Sequence, residues 1–482
     1  MNSQAIAAFV AAAGLGILLV VRDPTARRVA AVLWVGGTVV LAARLLHSSV
    51  DRAGTVVSEH PVLVVPAAVV AVACLVAAGA AFHRWPWAFA IACVLAAPAR
   101  IPVHFGSQDA KLLLPLYGVL AAGALATLYD IARAREPVLP PSRPALPALP
   151  LAVFTAFSAL SLVWTVDLHQ GAVTMLFFYL PFAFMAMRIG QLGWSPGGLR
   201  AAFTAQVALA VLFAAVALWQ EATHHIFWNP SIGVSNAYRS FFRVNSLFWD
   251  ASVYGRFMAV TLVLCVGVAV YRGMTVPLGA AMAFMFAGLY FTYSQSSYFA
   301  VAAGVLAVGT GLWSRRVTIA LVVAGAVGLL AVVAVALRGN SANRVSDERS
   351  HLIRLGWRVI RHHPALGAGL SGLPKAAVAG TAHPFRVKGA ASHTTPVTVA
   401  AELGPIGFAL YLWVLGAITA AGARIRGAGP VPRVLLAAVV AIFASSLFYD
   451  SFFEDPSMWL LVGFLAGTSM AAAGTAPPAA SA

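Results

Sequence analysis

Residues 61–82 read PVLVVPAAVVAVACLVAAGAAF, an uncharged run of 22 residues closed by His83-Arg84. At a rise of about 1.5 Å per residue, such a run crosses the roughly 30 Å hydrocarbon core of a bilayer as a helix. An isolated strand cannot satisfy its backbone in lipid, and the run is too long for a barrel strand. Comparable runs recur near 4–21, 29–46, 86–99, 112–132, 147–165, 172–190, 200–220, 254–271, 274–292, 297–313, 317–337, 395–420, 434–450 and 457–473. The run at 86–99 is short and broken by Pro98, which leaves a re-entrant passage open. The first run has no basic residue before it and no evident cleavage site, so it reads as a retained helix.

Composition excludes a soluble fold. Of 482 residues, 61% are hydrophobic and 10% charged, and the mean hydropathy is +0.87. Soluble domains carry about 25% charged residues. The net charge of +16 resides mostly in short Arg clusters between apolar runs, the layout of topology signals, so no nucleic-acid partner is expected. Cys74, Cys93 and Cys265 lie inside apolar runs without a CxxC spacing, and neither a disulfide framework nor a thiolate metal site follows.

The basic residues fall in alternate loops: Arg22, Arg27 and Arg28; Arg84; Arg133, Arg135 and Arg143; Arg188 and Arg200; Arg272; Arg315 and Arg316; Arg424, Arg426 and Arg433. Short basic loops stay in the cytoplasm. The turns at Asp167 and Ser294, the acidic turn Asp450–Asp455 and the longer segments 221–253 and 338–394 then face outward. The expected organisation is residues 1–135, N-terminal membrane helices; 136–337, membrane helices with outer segment 221–253; 338–394, a large extracytoplasmic loop; 395–473, C-terminal membrane helices; and 474–482, a disordered tail. The fold class is therefore an all-α polytopic membrane protein of about 12–15 transmembrane helices with one large basic outer loop containing helices.

That loop carries seven Arg and two Lys against Asp347 and Glu348, against the usual bias, and so suggests an anionic partner near the membrane. Residues 346–363 read as a helix with Ser346 as N-cap, ended by Pro364. Arg354, Arg358 and Arg361 form one stripe, with Leu352, Leu355 and Val359 on another side. The stripe suits either lipid headgroups or a phosphate-bearing substrate. A glycine-rich turn follows at Leu366–Gly372, and His393 then precedes the next span, where a neutral imidazole can take a proton from a hydroxyl. A lone histidine in such a place more often caps a helix or faces the interface.

The stretch His363-Pro364-Ala365-Leu366-Gly367-Ala368-Gly369-Leu370, followed by His393-Thr394-Thr395-Pro396 and by Glu402-Leu403-Gly404-Pro405-Ile406-Gly407, resembles the signature of the O-antigen ligase and polymerase superfamily. Trp164-Thr165-Val166-Asp167 resembles its Trp-Ser-x-Asp turn, Arg243–Ser252 its Arg-containing outer segment, and Tyr293–Ser297 its Thr-x-Ser-Arg turn. The resemblance covers roughly 160–420. It implies a GT-C-like bacterial inner-membrane glycosyltransferase of cell-envelope polysaccharide biosynthesis, working on the extracytoplasmic side. Its donor would be a glycan on undecaprenyl (polyprenyl) diphosphate, and its acceptor a glycan or lipid-anchored hydroxyl. By the same resemblance His393 is the catalytic base, and Arg243 binds the donor. Arg239, Arg354, Arg358 and Gln295 are further candidates, although Gln295 stands where the family often has Arg. Thr394 replaces a frequent Asn, and Asp250-Ala251-Ser252 a frequent Asn-Pro-Asn.

A diphosphate already leaves well, and guanidinium groups stabilise the charge it develops. The chain has no Asp-x-Asp motif, so a metal-independent displacement with inversion and no cofactor is expected. Asp51, read as lying in the first outer loop beside Arg52, is the alternative base. Ligase and polymerase share this chemistry and are not separated by sequence. A lipid-linked oligosaccharide flippase is the competing class, but flippases place charge within their spans, and these spans are nearly charge-free.

Overall fold

The structure, a computed structural model, describes residues 2–59, 61–105, 108–133, 146–238, 240–310, 343–379, 394–423, 429–450 and 452–474. The first half contains α1 (Ser3–Val20), α2 (Pro24–Glu59), α3 (Pro61–Arg84), α4 (Pro86–Ala96), α5 (Leu114–Ala132), α6 (Ala148–Leu160), and α7 (Leu168–Thr174) running through a π-helical turn into α8 (Leu180–Gly190). The second half contains α9 (Pro196–Thr223), α10 (Pro230–Ala237), α11 (Ala251–Arg272), α12 (Val276–Tyr290) and α13 (Gln295–Gly309). It continues with α14 (Asn343–His362), α15 (Leu373–Val378), α16 (Thr395–Ala423), α17 (Val431–Ser446) and α18 (Pro456–Gly474). Among the described residues, eight helices are long and apolar enough to cross a membrane, and five shorter apolar helices accompany them. The chain is a polytopic helical membrane protein.

Of the apolar runs read from sequence, only 317–337 lies outside the described residues. Three segments are decided by the structure. The run at 86–99 does not turn back: α4 starts beside Arg84 and delivers Arg100 to the neighbourhood of Glu454 and Tyr449, at the opposite end of the bundle. Residues 101–112, which follow the run at 86–99, hold an antiparallel pair, β1 (Ile101–Phe105) and β2 (Gln108–Leu112), with Ile101 opposite Leu112. Asp51 lies not in a loop but inside α2, which continues as helix to Glu59; its side chain is outside the described residues.

Following chain direction through the helices sorts the connections into two ends. Arg22, Arg27, Arg28, Arg84, Arg133, Arg188, Arg200, Arg272 and Arg433 gather at one, matching the charge alternation. Buried hydrogen bonds tie that end together. Arg27 donates to the Leu18 carbonyl at 2.8 Å, Gln191 to the same carbonyl at 3.3 Å, and Arg188 pairs with Asp130 at 3.1 Å. The opposite end carries the turns at 164–167, 224–250, 291–294 and 447–455 together with α14 and α15.

Small residues and stacked rings close the core. A Cβ on Gly14 would stand 2.5 Å from the Trp34 amide nitrogen and one on Gly37 2.6 Å from that of Ala11, so the backbones of α1 and α2 touch only because these positions lack one. Trp34 stacks on Phe184 at 4.9 Å and Phe154 on Phe453 at 4.5 Å.

The two ends should report opposite faces of the membrane. In a Cys74→Ala background, where Cys93 and Cys265 are buried, an impermeant thiol reagent should reach Gln295→Cys from one side and Met274→Cys from the other. Labelling of both from one side would contradict the helix order.

Candidate active site

The site is organised by a break in α16. Gly404 has φ 64° and ψ −168°, and Pro405 follows with no amide hydrogen, so the helix stops and restarts. The break strands the carbonyls of Ala401 and Glu402, which in a continuous helix would accept from residues four positions on. The glycine-rich turn satisfies both: the Ala368 amide donates to Ala401 O at 2.9 Å and the Gly369 amide to Glu402 O at 2.7 Å. The Glu402 carboxyl oxygens accept from the Ser371 amide at 2.8 Å and the Leu373 amide at 3.3 Å, at the start of α15. Gly367 and Gly369 hold φ +70° and +80°, and a Cβ on Gly369 would lie 2.2 Å from Thr165 Cα.

The 164–167 turn grips the other side of the same loop. Trp164 Nε1 donates to Leu366 O at 3.1 Å, the Val166 amide to Ala368 O at 3.0 Å and Thr165 Oγ1 to Leu370 O at 3.0 Å. The Leu370 amide donates to Ser161 Oγ at 3.0 Å, and Thr174 Oγ1 meets Ser371 Oγ at 2.8 Å. Three segments more than 200 residues apart at the extremes thus form one unit.

Helix α14 lies on this unit. It begins at Asn343, so Ser346 is inside the helix and not its N-cap. Leu355 and Val359 pack on Ala368, Leu373, Ala377 and Ala401. A Cβ on Gly356 would be 2.6 Å from Val397, so α14 sits tightly on α16. Arg354, Arg358 and Arg361 are exposed on the side away from that contact, with Arg361 over the Trp357 ring at 5.6 Å. The stripe predicted from spacing exists, and it points outward beside exposed Ile353 and Trp357, as in an interfacial helix.

Arg243 is half-buried and engaged with the fold. Its Nε donates to Thr292 O at 2.7 Å and its Nη2 to Ser252 Oγ at 3.0 Å, while Asn236 brackets its backbone amide and carbonyl at 3.1 Å each. Asp250 caps α11 by accepting the Ser252 amide at 2.7 Å. Gln220 secures the preceding loop, accepting the Asn245 and Ser246 amides at 3.1 and 2.7 Å. The outer-segment motif and the 293–297 turn are therefore joined by Arg243. Gln295 is exposed in the first turn of α13. Arg239 and His393 lie outside the described residues.

The 449–455 turn is the part that sequence reading used only as a marker of sidedness. Arg256 pairs with Asp455 at 2.6 Å, both buried, and lies over the Tyr449 ring at 5.5 Å. Asp450 accepts hydrogen bonds from Thr395 Oγ1 at 2.9 Å and from Thr398 Oγ1. Burial raises the Asp450 carboxyl from its usual range to about 6, against the pull of the two threonines. Glu454 reaches solvent yet stands within a recess of surrounding protein; that crowding and Asp450 raise it to about 7, with Arg100 opposing. Two carboxyl groups near neutrality, with Arg100 and Arg256 close by, can exchange protons and receive an anion in one place. The signal was the density of acids in Tyr449–Asp455 in a chain with only 15 acidic residues.

Residues 280–412 match the family model Wzy_C, described as O-antigen ligase. Over this stretch, which is less than half of the chain, the protein is similar to that family. The match spans α12, α13, α14, the glycine turn, His393 and the break in α16; it leaves out the Trp164 turn, Arg243 and the 449–455 turn. No curated protein matches the chain.

Two outcomes are expected. Glu402→Ala leaves the amides of Ser371 and Leu373 without their acceptor and should destabilise the protein by about 2–4 kcal/mol, and Gly369→Ala, at positive φ, by about 2 kcal/mol or more; thermal unfolding in detergent reads both. Because Asp450 and Glu454 are raised in the folded state, their contribution is fully present below their unfolded values near 4 and is lost as pH rises through about 6 and 7. Unfolding temperature should therefore fall from pH 5 to 8, and fall less in Asp450→Asn. An equal fall in both would show that Asp450 is not raised.

Proposed function

We propose that this protein is an O-antigen ligase-like glycosyltransferase of the bacterial inner membrane. It moves a glycan from a polyprenyl diphosphate to an acceptor hydroxyl on the extracytoplasmic side, without a metal and with inversion at the anomeric carbon. The observation that carries the reading is the convergence, at the end away from the basic loops, of every motif that resembles the family. The glycine turn, the Glu402–Gly404 break, the 164–167 turn and the Arg243–Thr292–Ser252 junction are all there. The acid–arginine cluster of Arg256, Asp450, Glu454 and Asp455 stands at the same end.

In this reading guanidinium groups, Arg243 first, meet the diphosphate and stabilise the charge it gains as the anomeric C–O bond breaks. His393 takes the proton of the acceptor hydroxyl as that oxygen bonds to the anomeric carbon. Thr395, two residues further on, donates to Asp450. Asp450, raised toward neutrality by burial, replaces Asp51 as the rival base.

The test is product formation by purified protein with a polyprenyl-diphosphate oligosaccharide and candidate acceptors. His393→Ala should lower turnover by about 10²–10⁴-fold with the fold intact. Arg243→Ala should weaken donor binding about tenfold or more, and Arg243→Lys should recover only part, because a point charge does not reproduce the fork. Wild-type turnover by His393→Ala together with loss in Asp450→Asn would transfer the base role to Asp450. No turnover by the native protein, with lipid translocation in vesicles, would favour the flippase.

A further inference from the structure

From the end opposite the motifs, a cleft of about 470 Å³ runs between α4, α9, α11, α17 and α18 as far as Ala97, Phe257 and Ser457. Its size is that of a small-molecule site. Phe203, Phe257, Leu264, Val434 and Leu461 are among its mainly apolar walls, which extend along the helices toward the membrane interior. Its mouth is different. Arg200, in the first turns of α9, and Arg272, the last residue of α11, both line it and both are exposed. Neither has an ion-pair partner among the described residues. Beside them the Tyr271 hydroxyl is buried and has no hydrogen-bond partner among the described residues. A long apolar slot with two cations and an unpartnered hydroxyl at one end has the polarity of a single amphiphile, chain inward and anion at the mouth.

We propose that this cleft binds an anionic glycerophospholipid from the leaflet at the basic end. One acyl chain fills the slot, and the phosphate sits between Arg200 and Arg272. Basic pockets between membrane helices on the side of the basic loops suit such headgroups. A polyprenyl diphosphate fits this place poorly: the motifs attributed to donor chemistry lie at the other end, and a diphosphate at Arg200 and Arg272 would be a bundle's length from them. The inference is independent of the glycosyltransferase reading.

The full-length protein, reconstituted in nanodiscs of phosphatidylcholine with or without phosphatidylglycerol and then moved to mild detergent, is examined by native mass spectrometry. The wild type should retain phosphatidylglycerol in preference to phosphatidylcholine. The double variant Arg200→Ala/Arg272→Ala should lose about tenfold or more of that preference. Val268→Trp, which fills the slot without touching the cations, should reduce retention of both lipids. Arg200→Lys/Arg272→Lys should keep most of the preference, which separates loss of charge from loss of fold. Equal retention of the two lipids by the wild type, unchanged preference in the Ala double variant, or a polyprenyl phosphate as the retained species would each overturn the proposal.

Discussion

A helix that stops at Gly404-Pro405 inside a membrane bundle leaves two carbonyls with no partner of their own, and in low dielectric that is expensive. The architecture of the motif-bearing end follows from how they are satisfied. The amides of Ala368 and Gly369 approach close enough only because Gly367, Gly369 and Gly404 adopt positive φ without a Cβ. Once that turn is seated, Glu402 lies under the start of α15, and the 164–167 turn closes over the other edge. Helix α14 then has an apolar floor to rest on. Two short motifs that look independent in sequence are donor and acceptor halves of one joint.

Around the joint, polar groups form a layer at one end of the bundle. Arg243 ties the outer segment to the Thr292 turn, Arg256 reaches Asp455, and Asp450 holds Thr395 and Thr398. Buried arginines that are paired and hydrogen-bonded stay charged and fixed in place, which suits them to meet an anion without reorganising. Burial raises the carboxyl groups of Asp450 and Glu454 toward neutrality, and Asp450 adds to the rise at Glu454. The opposite end combines exposed arginines with buried Arg27 on the Leu18 carbonyl and buried Arg188 paired with Asp130.

The helices were legible because bilayer thickness imposes a length that a run such as 61–82 displays directly. The break in α16 could be read from Gly404-Pro405, and the glycine turn from its composition, but not their mutual bonding, which joins residues far apart in the chain. The β1–β2 pair was missed although Ile101, Val103 and Phe105 alternate ahead of Gly106-Ser107, a short-range hairpin signal. The extension of α2 past Asp51 was missed because polar residues after a membrane run read as loop, whereas they also continue a helix into water. The role of Arg243 as a strap was invisible: an arginine in a motif suggests a ligand, and only packing reveals that Thr292 and Ser252 already use two of its donors. The acids of 449–455 were seen as charge and not as a site, since nothing in sequence places Arg100 and Arg256 beside them.

The central claim is that the glycine turn is a bonded part of the broken helix and not a free loop. Amide hydrogen exchange over residues 365–373, followed peptide by peptide in the native protein, tests it directly. The account predicts slow exchange at Ala368, Gly369, Leu370 and Ser371, comparable with the α16 amides on either side of Gly404. Exchange there at the rate of an open loop would contradict it.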